Sequence, residues 1–398
     1  MDFQFSPEQE MFRRTIRRFI KKECSPQKEQ ALDDQEEFPE DLYQKMAALG
    51  FMGVLVPEEF GGQGGKTLDA ILLLEELSYG SLSASSAFCF CNLYGVAKIL
   101  HNGTEEQKQE FLPKLASGEV KMSIACTEPD AGTGIGAIRT SAVANNGDFV
   151  INGTKMFINN ANVVDYLITA CVTDKKGEEF KNMSLMIVPT KEEGVRATPI
   201  RKMGNRSTPS CEVVFEDVVV PESSLLGGMT QINLGWRAMR KTLDMEKTVF
   251  SAGCVGLAQA AYEEALNYVK TRRQGGLPVG DYQAVMHKVA DMAVKVHTAR
   301  LLVYHTGWML DNGWPATANA AMSKTYAADI CKEVCLDGMQ VMGGAGYILE
   351  SNMQRYLREA VLNTIVGGTN EIQRNTIGMA LELGLPRQTR ERREAVDN

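Results

Sequence analysis

The sequence lacks the features that mark a membrane or secreted protein. No apolar run reaches the length of about 20 residues that a membrane-spanning helix needs. The N-terminal segment MDFQFSPEQE has no basic stretch followed by an apolar one, which is the pattern of a secretory signal, and its early acidic residues do not suit a transit peptide. We therefore expect a cytoplasmic protein that has no membrane as a partner.

Positive charge, histidine and paired cysteines are also scarce. The net charge of −8 at pH 7 gives no electrostatic reason to expect nucleic acid as a partner. The four histidines are isolated in helical patterns, and the nine cysteines lack the spacing of a disulfide framework, which fits a reducing compartment. Cys331 and Cys335 lie four apart without a second pair of possible ligands, so we predict interior packing and no metal site.

The chain does contain two clear changes of pattern. Its 398 residues are enough for more than one folded unit. Residues 1–120 have the helical period, residues 121–228 have the alternation and β-branched runs of strands, and residues 229–398 return to the helical period. We predict an α+β multidomain fold with an N-terminal helical domain, a central small β-barrel domain and a C-terminal four-helix bundle.

Helix signals are strongest near the N-terminus. Ser6–Gln9 and Thr104–Gln107 are capping boxes, each opening a helix. A further helix is predicted to begin near Pro39 and to turn Leu42 and Leu49 inward before it stops at a glycine. These signals predict a first domain that is almost entirely helical.

Turn residues divide the central segment into strands. Residues 149–151 and 154–158 flank Asn152-Gly153, which predicts a hairpin with a two-residue loop. Further strands are predicted at Tyr166–Thr173, Ser184–Val188 and Cys211–Val220.

The C-terminal segment is predicted to form four long helical stretches with short connections. The breaks are expected near residues 275–280, 312–315 and 343–346, where glycine or proline is concentrated. The last helix is expected to stop at Gly384 and Pro386, followed by a charged, frayed tail from residue 387.

Four short motifs follow one another along the chain. They are Leu74–Gly80 (LEELSYG), Ala125–Thr133 (ACTEPDAGT), Gln340–Tyr347 (QVMGGAGY) and Val366–Arg374 (VGGTNEIQR). Glycines allow close approach of the backbone to a bulky ligand, and threonine hydroxyls can hydrogen-bond a cofactor without adding charge. On these motifs, in this order, the sequence resembles the acyl-CoA dehydrogenase family.

The resemblance implies an FAD cofactor and a homo-oligomer, most often a tetramer. In the family, an arginine and glycines near the C-terminus reach the flavin of a neighbouring subunit, and the arginine offers a planar fork for phosphate. The residues implied to bind the cofactor here are Cys126, Thr127, Gly132, Thr133, Phe157, Asn159, Arg273, Gln340, Gly343, Gly344, Thr369 and Glu371.

The implied reaction is α,β-dehydrogenation of an acyl-CoA thioester, in which a carboxylate removes the α-proton and hydride passes to the flavin. In one branch of the family the base lies just before the Gly-Thr of the C-terminal loop, a position held here by Gly367. In the isovaleryl-CoA and long-chain branch it lies in a helical motif like LDLER, which is Leu243–Lys247 (LDMEK) here. We therefore assign Glu246 as the base, although spacing alone favours a surface glutamate paired with a lysine.

The resemblance also implies contacts with the substrate. The backbone N–H of Gly367 is available to polarise the thioester carbonyl, because that donor needs no side chain. The other residues implied to contact the acyl-CoA are Thr133, Asp244, Lys247 and Gly368.

Several residues depart from the family pattern. Gly134 replaces an Asp in the flavin turn, Asn159 replaces a Thr or Ser, and Phe157 replaces a Trp. Gly275 stands where a Phe is usual, and Lys247 where an Arg is usual. Because Asn159 keeps a hydrogen-bond donor and Phe157 keeps an aromatic wall, we expect flavin binding to survive, with an altered redox potential, substrate or direction.

The acyl group and the direction of reaction stay open. By resemblance, residues 88–91 (FCFC) lie near the acyl pocket, where two phenylalanines would favour a short, branched or cyclic acyl chain; ordinary core packing fits them equally well. A dehydrogenase of this family implies electron-transferring flavoprotein as redox partner. The alternatives are an enoyl-CoA reductase, a non-oxidative CoA-thioester lyase or desulfinase, and a non-catalytic CoA-binding protein.

Overall fold

The computed structural model describes residues 4–383 of the chain. Its helices and strands follow one another in three blocks, with helices before and after a block of strands, as predicted. The predicted stop at Gly384 and Pro386 and the tail from residue 387 lie outside the described residues. The helices are α1 (Pro7–Glu23), α2 (Pro26–Gln35), α3 (Glu40–Ala48), α4 (Thr67–Gly80), α5 (Leu82–Phe88), α6 (Tyr94–Asn102), α7 (Glu105–Ala116), α8 (Gly235–Thr271), α9 (Gln283–Asp311), α10 (Thr317–Met342), α11 (Gly344–Tyr347), α12 (Asn352–Asn363) and α13 (Asn370–Ala380).

The first block confirms most of its helix signals. The Ser6 side chain accepts from the backbone N–H of Gln9, and the Thr104 box caps α7 in the same way. The prediction for Leu49 is wrong, because α3 ends at Ala48 and Leu49 is 48% exposed, whereas Leu42 is fully buried. Once the helix has ended, the helical period no longer fixes the direction of a side chain. Helix α2 was not predicted from the sequence.

The second block forms one seven-stranded sheet and the third block adds a two-stranded one. The larger sheet has the order β1-β4-β2-β3-β7-β6, with β5 paired to the other side of β4. Its pairs are antiparallel except for β1 with β4 and β2 with β4. The strands are β1 (Met122–Ala125), β2 (Ser141–Asn145), β3 (Asp148–Asn159), β4 (Tyr166–Val172), β5 (Met183–Pro189), β6 (Val195–Ile200), β7 (Ser210–Pro221), β8 (Arg273–Gln274) and β9 (Leu277–Pro278).

The predicted hairpin at Asn152-Gly153 is wrong. Strand β3 runs through these residues, and the register against β7 shifts there, as in a β-bulge. The hairpin lies one Asn-Gly earlier, at Asn146-Gly147, where both residues have positive φ as a two-residue hairpin loop requires. Strand β2, which precedes Asn146-Gly147, pairs with β3, and this pairing explains why the hairpin loop forms there and not at Asn152-Gly153.

The third block is built around α8, which packs against α4, α6, α9 and α10. Its 37 residues extend for about 55 Å at the usual rise per residue. The predicted breaks after α8, α9 and α10 are confirmed, but the predicted fourth segment is two helices, α12 and α13, separated by the loop at residues 364–369. No helix among residues 4–383 combines the length and apolar character needed to cross a membrane.

Candidate active site

Glu246 lies in the middle of α8 and faces the interior, with 6% of its surface exposed. Helix α6 packs against this part of α8 and presents Lys98, whose side chain is fully buried. The Nζ atom of Lys98 donates to Oε1 of Glu246 at 2.5 Å. Glu246 is therefore not a surface glutamate, which is what spacing alone favoured. Its carboxylate on α8 pairs with a lysine on another helix, α6.

Thr242 completes this group one helical turn before Glu246. Residues four apart in a helix lie on the same face, so one ammonium group reaches both side chains. Lys98 donates to Oγ1 of Thr242 as well as to Glu246, and Thr242 donates to the carbonyl of Met239 at 3.2 Å. The two contacts fix the ammonium between α6 and α8.

The rest of the LDMEK motif is less buried. Asp244 accepts from Oγ1 of Thr317 at 2.5 Å, which ties α8 to the start of α10. Burial lowers the pKa of Lys247, although the nearby carboxylates of Asp244 and Glu246 act in the opposite direction. The motif thus supplies one buried carboxylate and two partly exposed charges on neighbouring faces of the helix.

A second buried pair holds the turn after β1. Lys155, on β3, is fully buried and donates to Oε1 of Glu128 at 2.8 Å and to the carbonyl of Cys126 at 3.1 Å. The backbone N–H of Met156 also donates to the carbonyl of Thr127 at 2.8 Å. These bonds place Cys126 and Thr127 beside the middle of β3.

Phe157 and Asn159 lie close along the same strand. Phe157 has a positive φ of 60° and is 63% exposed, which is unusual for a large aromatic side chain in a sheet. Asn159 accepts from Oγ of Ser210 through Oδ1 at 2.8 Å, so its amide N–H groups stay available as donors. The structure therefore brings Cys126, Thr127, Phe157 and Asn159 together at one exposed surface of the β domain.

The turn continues from Glu128 into an open glycine-rich segment. Glu128 and Ala131 exchange two backbone hydrogen bonds, and Gly132, Thr133 and Gly134 follow as exposed residues. A Cβ added at Gly132 or Gly134 would meet no atom within 4 Å. The segment leaves space for a ligand against the backbone.

The C-terminal loop before α13 is held by hydrogen bonds to side chains of α10. Asn370 accepts from the buried Lys324 at 2.8 Å and donates to Asp329 at 2.8 Å. Burial lowers the pKa of Lys324 to about 8. Thr369 caps α13 by accepting from the backbone of Ile372.

Gly367 and Gly368 form the outer edge of this loop. Both have positive φ, 69° and 81°, and Gln373 donates to both of their carbonyls. Within residues 4–383 the backbone N–H of Gly367 donates to no group, and a Cβ there would meet nothing within 4 Å. Glu371 is exposed in the first turn of α13.

Four predicted cofactor residues lie elsewhere. Arg273 is exposed after α8 and donates to the carbonyl of Gly276 at 3.1 Å. Gln340, Gly343 and Gly344 are exposed at the end of α10. Among the described residues of one chain, none of the four hydrogen-bonds to Glu246 or to the turn after β1.

The segment at residues 88–91 divides between core and cavity. Phe88 and Cys91 are fully buried in the core, whereas Cys89 and Phe90 line a small cavity with Phe250 of α8. Residues 89–93 form a π-helical turn between α5 and α6, which changes the helical phase ahead of Lys98.

Sequence reasoning missed both buried lysines, and it did not predict that they pair with Glu246 and Glu128. A signal existed for Lys98, since it is the single charged residue in the apolar stretch 93–100. Glu128 stood inside a recognised motif without a role. Pairing between residues 148 or 27 positions apart could not be inferred from local spacing.

Comparison with known proteins gives one consistent result. Models of the acyl-CoA dehydrogenase N-terminal, middle and C-terminal domains match residues 6–119, 123–218 and 233–382. The probable acyl-CoA dehydrogenase YngJ of Bacillus subtilis is 39% identical over 96% of this chain and all of its own length. The caffeyl-CoA reductase-Etf complex subunit CarC of Acetobacterium woodii is 36% identical over 95% of this chain and 99% of its own. The solved structure of PigA with FAD and proline superposes with a TM-score of 0.91 at 30% identity, covering 96% of this chain and all of that one.

Proposed function

Because the chain belongs to the acyl-CoA dehydrogenase family, we propose that it catalyses the α,β-dehydrogenation of an acyl-CoA thioester to the 2-enoyl-CoA. The observation that carries this proposal is the buried carboxylate of Glu246 on α8, together with a glycine at the other position where the family resemblance allows a base. Glu246 is the base that takes the α-proton.

The exposed surface beside β3 suits FAD as the cofactor. It offers an aromatic side chain, Phe157, free amide donors at Asn159 and unobstructed backbone at Gly132 and Gly134. Thr127 and Thr133 add hydroxyl groups without adding charge. Bound FAD would accept the hydride that leaves the β-carbon.

The chain's own groups hold the thioester. The unused N–H of Gly367 polarises the thioester carbonyl, which makes the α-proton more acidic. Thr133, Asp244, Lys247 and Gly368 contact the acyl-CoA. Because Phe90 lines the cavity between α5 and α8, a short, branched or cyclic acyl group fits better than a long chain.

Partners follow from the same proposal. Electron-transferring flavoprotein reoxidises the enzyme, in keeping with the name of the relative CarC, which is a subunit of an Etf complex. Arg273, Gln340, Gly343 and Gly344, which are exposed in one chain, contact the cofactor of a neighbouring subunit in a homotetramer.

Reduction of an enoyl-CoA is the second candidate. A relative named as a caffeyl-CoA reductase subunit is 36% identical, close to the identity shared with YngJ. The two directions use the same carboxylate, as a base in one and as an acid in the other.

Anaerobic titration of the purified protein with a panel of saturated acyl-CoAs and enoyl-CoAs tests the proposal. Bleaching of the flavin absorbance by one saturated acyl-CoA, with the bleaching rate reduced about 10²–10⁴-fold in Glu246→Gln, is the expected result.

Other outcomes would replace the proposal. Indifference to every acyl-CoA, with reoxidation of the reduced protein by an enoyl-CoA, would establish the reductase. Stable yellow colour without any redox response would point to a non-oxidative lyase or desulfinase. Undiminished bleaching in Glu246→Gln would show that another group is the base.

A further inference from the structure

The ammonium group of Lys98 faces the proposed base and belongs to no motif of the sequence. Its side chain is fully buried, and its two partners are Oε1 of Glu246 and Oγ1 of Thr242. A buried carboxylate stays ionised only when a compensating charge or several hydrogen bonds replace the water it has lost. In the described part of the chain, Lys98 is the hydrogen-bond donor to Glu246.

Three other ionisable groups near Glu246, which lie in the π-helical turn, on α6 and in the turn after β1, carry no charge at neutral pH. Burial raises the pKa of the Cys89 thiol to about 12 and that of Cys126 to about 11. Burial also raises the pKa of Tyr94 well above its usual value, and the carboxylate of Glu246 adds to the shift. These groups neither compensate the carboxylate nor compete for its proton.

His101 and Lys247 are two further ionisable groups that interact electrostatically with Glu246. Burial lowers the pKa of His101, and the charges of Lys241 and Lys98 lower it further, while the carboxylate of Glu246 acts in the opposite direction. Lys247 follows Glu246 on α8 and interacts electrostatically with Glu246, Asp244 and Lys324, but it makes no hydrogen bond to Glu246 within residues 4–383. Lys98 is thus the cation in direct contact with the base.

The second oxygen of Glu246, Oε2, is available to accept a proton. Within residues 4–383 only Oε1 accepts a hydrogen bond, so Oε2 keeps its lone pairs. The geometry points to Lys98 as a positioning residue that holds Glu246 ionised and aims Oε2 at the substrate, which sets the site for proton abstraction rather than proton donation. This inference rests on the proposed function for its direction of reaction.

The proton balance follows from this arrangement. In dehydrogenation the α C–H bond breaks and an O–H bond forms at Glu246, while the electron pair left on the α-carbon forms the double bond as hydride leaves the β-carbon for the flavin proposed above. The ammonium beside Oε1 then favours release of the new proton to solvent. Enoyl reduction needs the protonated carboxyl as donor, and Lys98 opposes that form.

Lys98→Met and Lys98→Gln test the inference, with Lys98→Arg as the variant that keeps the charge. We expect the pH at which flavin bleaching reaches half of its maximal rate to rise by about one to three units in the first two variants, since that is the usual effect of a close opposite charge on a carboxyl group. Lys98→Arg should restore the wild-type pH profile at least in part. A purely structural role would lower the rate equally at all pH values.

An infrared measurement gives a readout that does not depend on activity. In the difference spectrum between Lys98→Met and Lys98→Met/Glu246→Gln, the carbonyl stretch of a neutral carboxylic acid should persist to a pH about one to three units higher than in the difference spectrum between wild type and Glu246→Gln. If Lys98→Met does not fold, Lys98→Gln is used in its place, because its amide can still hydrogen-bond but carries no charge.

The two measurements separate the possible failures. A carbonyl stretch that disappears at the same pH in wild type and in both uncharged variants, or an unchanged pH profile, would overturn the role of Lys98 while leaving the dehydrogenase proposal intact. A carbonyl stretch that persists to higher pH in the uncharged variants of a protein that no acyl-CoA bleaches would support the role of Lys98 and reject the proposed function.

Discussion

The buried pairs Lys98–Glu246 and Lys155–Glu128 have the same chemistry and differ in how completely the carboxylate is bonded. Both lysines are fully buried, and both glutamate side chains are less than a tenth exposed. Glu128 accepts from the backbone N–H groups of Arg139 and Thr140 in addition to Lys155, and so uses both oxygens. Glu246 uses one oxygen.

Under the proposed function, this difference separates the pair that holds a loop from the pair that contains the base. Burial raises the pKa of Glu128, but the charge of Lys155 and the hydrogen bonds from Lys155, Thr140 and Arg139 outweigh it, so the net pKa is lowered. A carboxylate whose two oxygens both accept hydrogen bonds, as in Glu128, is suited to holding a loop and is a poor acceptor for a substrate proton. An unfilled oxygen beside a compensating cation is what a general base requires.

Conversion of each glutamate to the amide should affect a different property most strongly. Glu246→Gln is expected to lower the rate of flavin bleaching by about 10²–10⁴-fold, because the amide cannot accept the α-proton. Both variants leave a buried lysine without its counter-charge and should lose thermal stability, and Glu128→Gln should lose more because its amide must replace three charge-assisted bonds. Stopped-flow absorbance and differential scanning calorimetry measure the two effects, and a Glu128→Gln variant as stable as wild type would contradict the distinction.

Removal of the structural lysine should give the largest loss of stability. Lys155→Met leaves Glu128 buried without its cation and frees the carbonyl of Cys126, a change that typically costs about 3–5 kcal/mol in the free energy of unfolding. Urea denaturation followed by circular dichroism measures the cost. The matched variant Lys28→Met removes a partly exposed lysine that pairs with the exposed Asp41 at 2.9 Å, and should cost less than about 1 kcal/mol.

The bulge in β3 offers a smaller test, because it sets the register that carries Lys155 to Glu128. A Cβ at Gly153 would lie 2.5 Å from Oγ1 of Thr140 and 2.6 Å from its Cα, with φ at +150°. Gly153→Ala should therefore destabilise the protein by about 1–3 kcal/mol and lower its content of bound flavin. Gly147 in the hairpin loop also has a positive φ, but a Cβ there would meet no atom within 4 Å. Gly147→Ala should therefore lower the free energy of unfolding by only about 1 kcal/mol. Equal effects of the two substitutions would mean that the bulge does not limit the position of Lys155.

The smallest effect is expected in the pH dependence of stability. Because the folded-state pKa of Glu128 is lowered from its ordinary 4.5, its contribution is present above that pH and is lost as the pH falls through the folded-state value. Between pH 3 and pH 5 the melting temperature of wild type should fall more steeply than that of Glu128→Gln. Parallel curves for the two proteins in this window would show that the pair adds no pH-dependent stability.

The sequence by itself determined the family and the succession of helices, strands and helices. These conclusions rest on local signals, namely hydrophobic period, capping residues and short motifs, that act over fewer than ten residues. The capping boxes at Ser6 and Thr104 and the breaks after α8, α9 and α10 appear in the structure where local pattern placed them.

Only the tertiary structure decided which residues meet. It placed the hairpin loop at Asn146-Gly147, because β2 before this dipeptide pairs with β3 after it. Asn152-Gly153 stays inside β3, because β3 pairs with β7 both before and after this dipeptide. It exposed Leu49 by ending α3 one residue earlier. It also paired Glu246 with Lys98, which are 148 positions apart in the sequence, because α6 and α8 pack against each other. A buried charge needs an opposite charge nearby in space, whatever the distance between the two residues in the sequence.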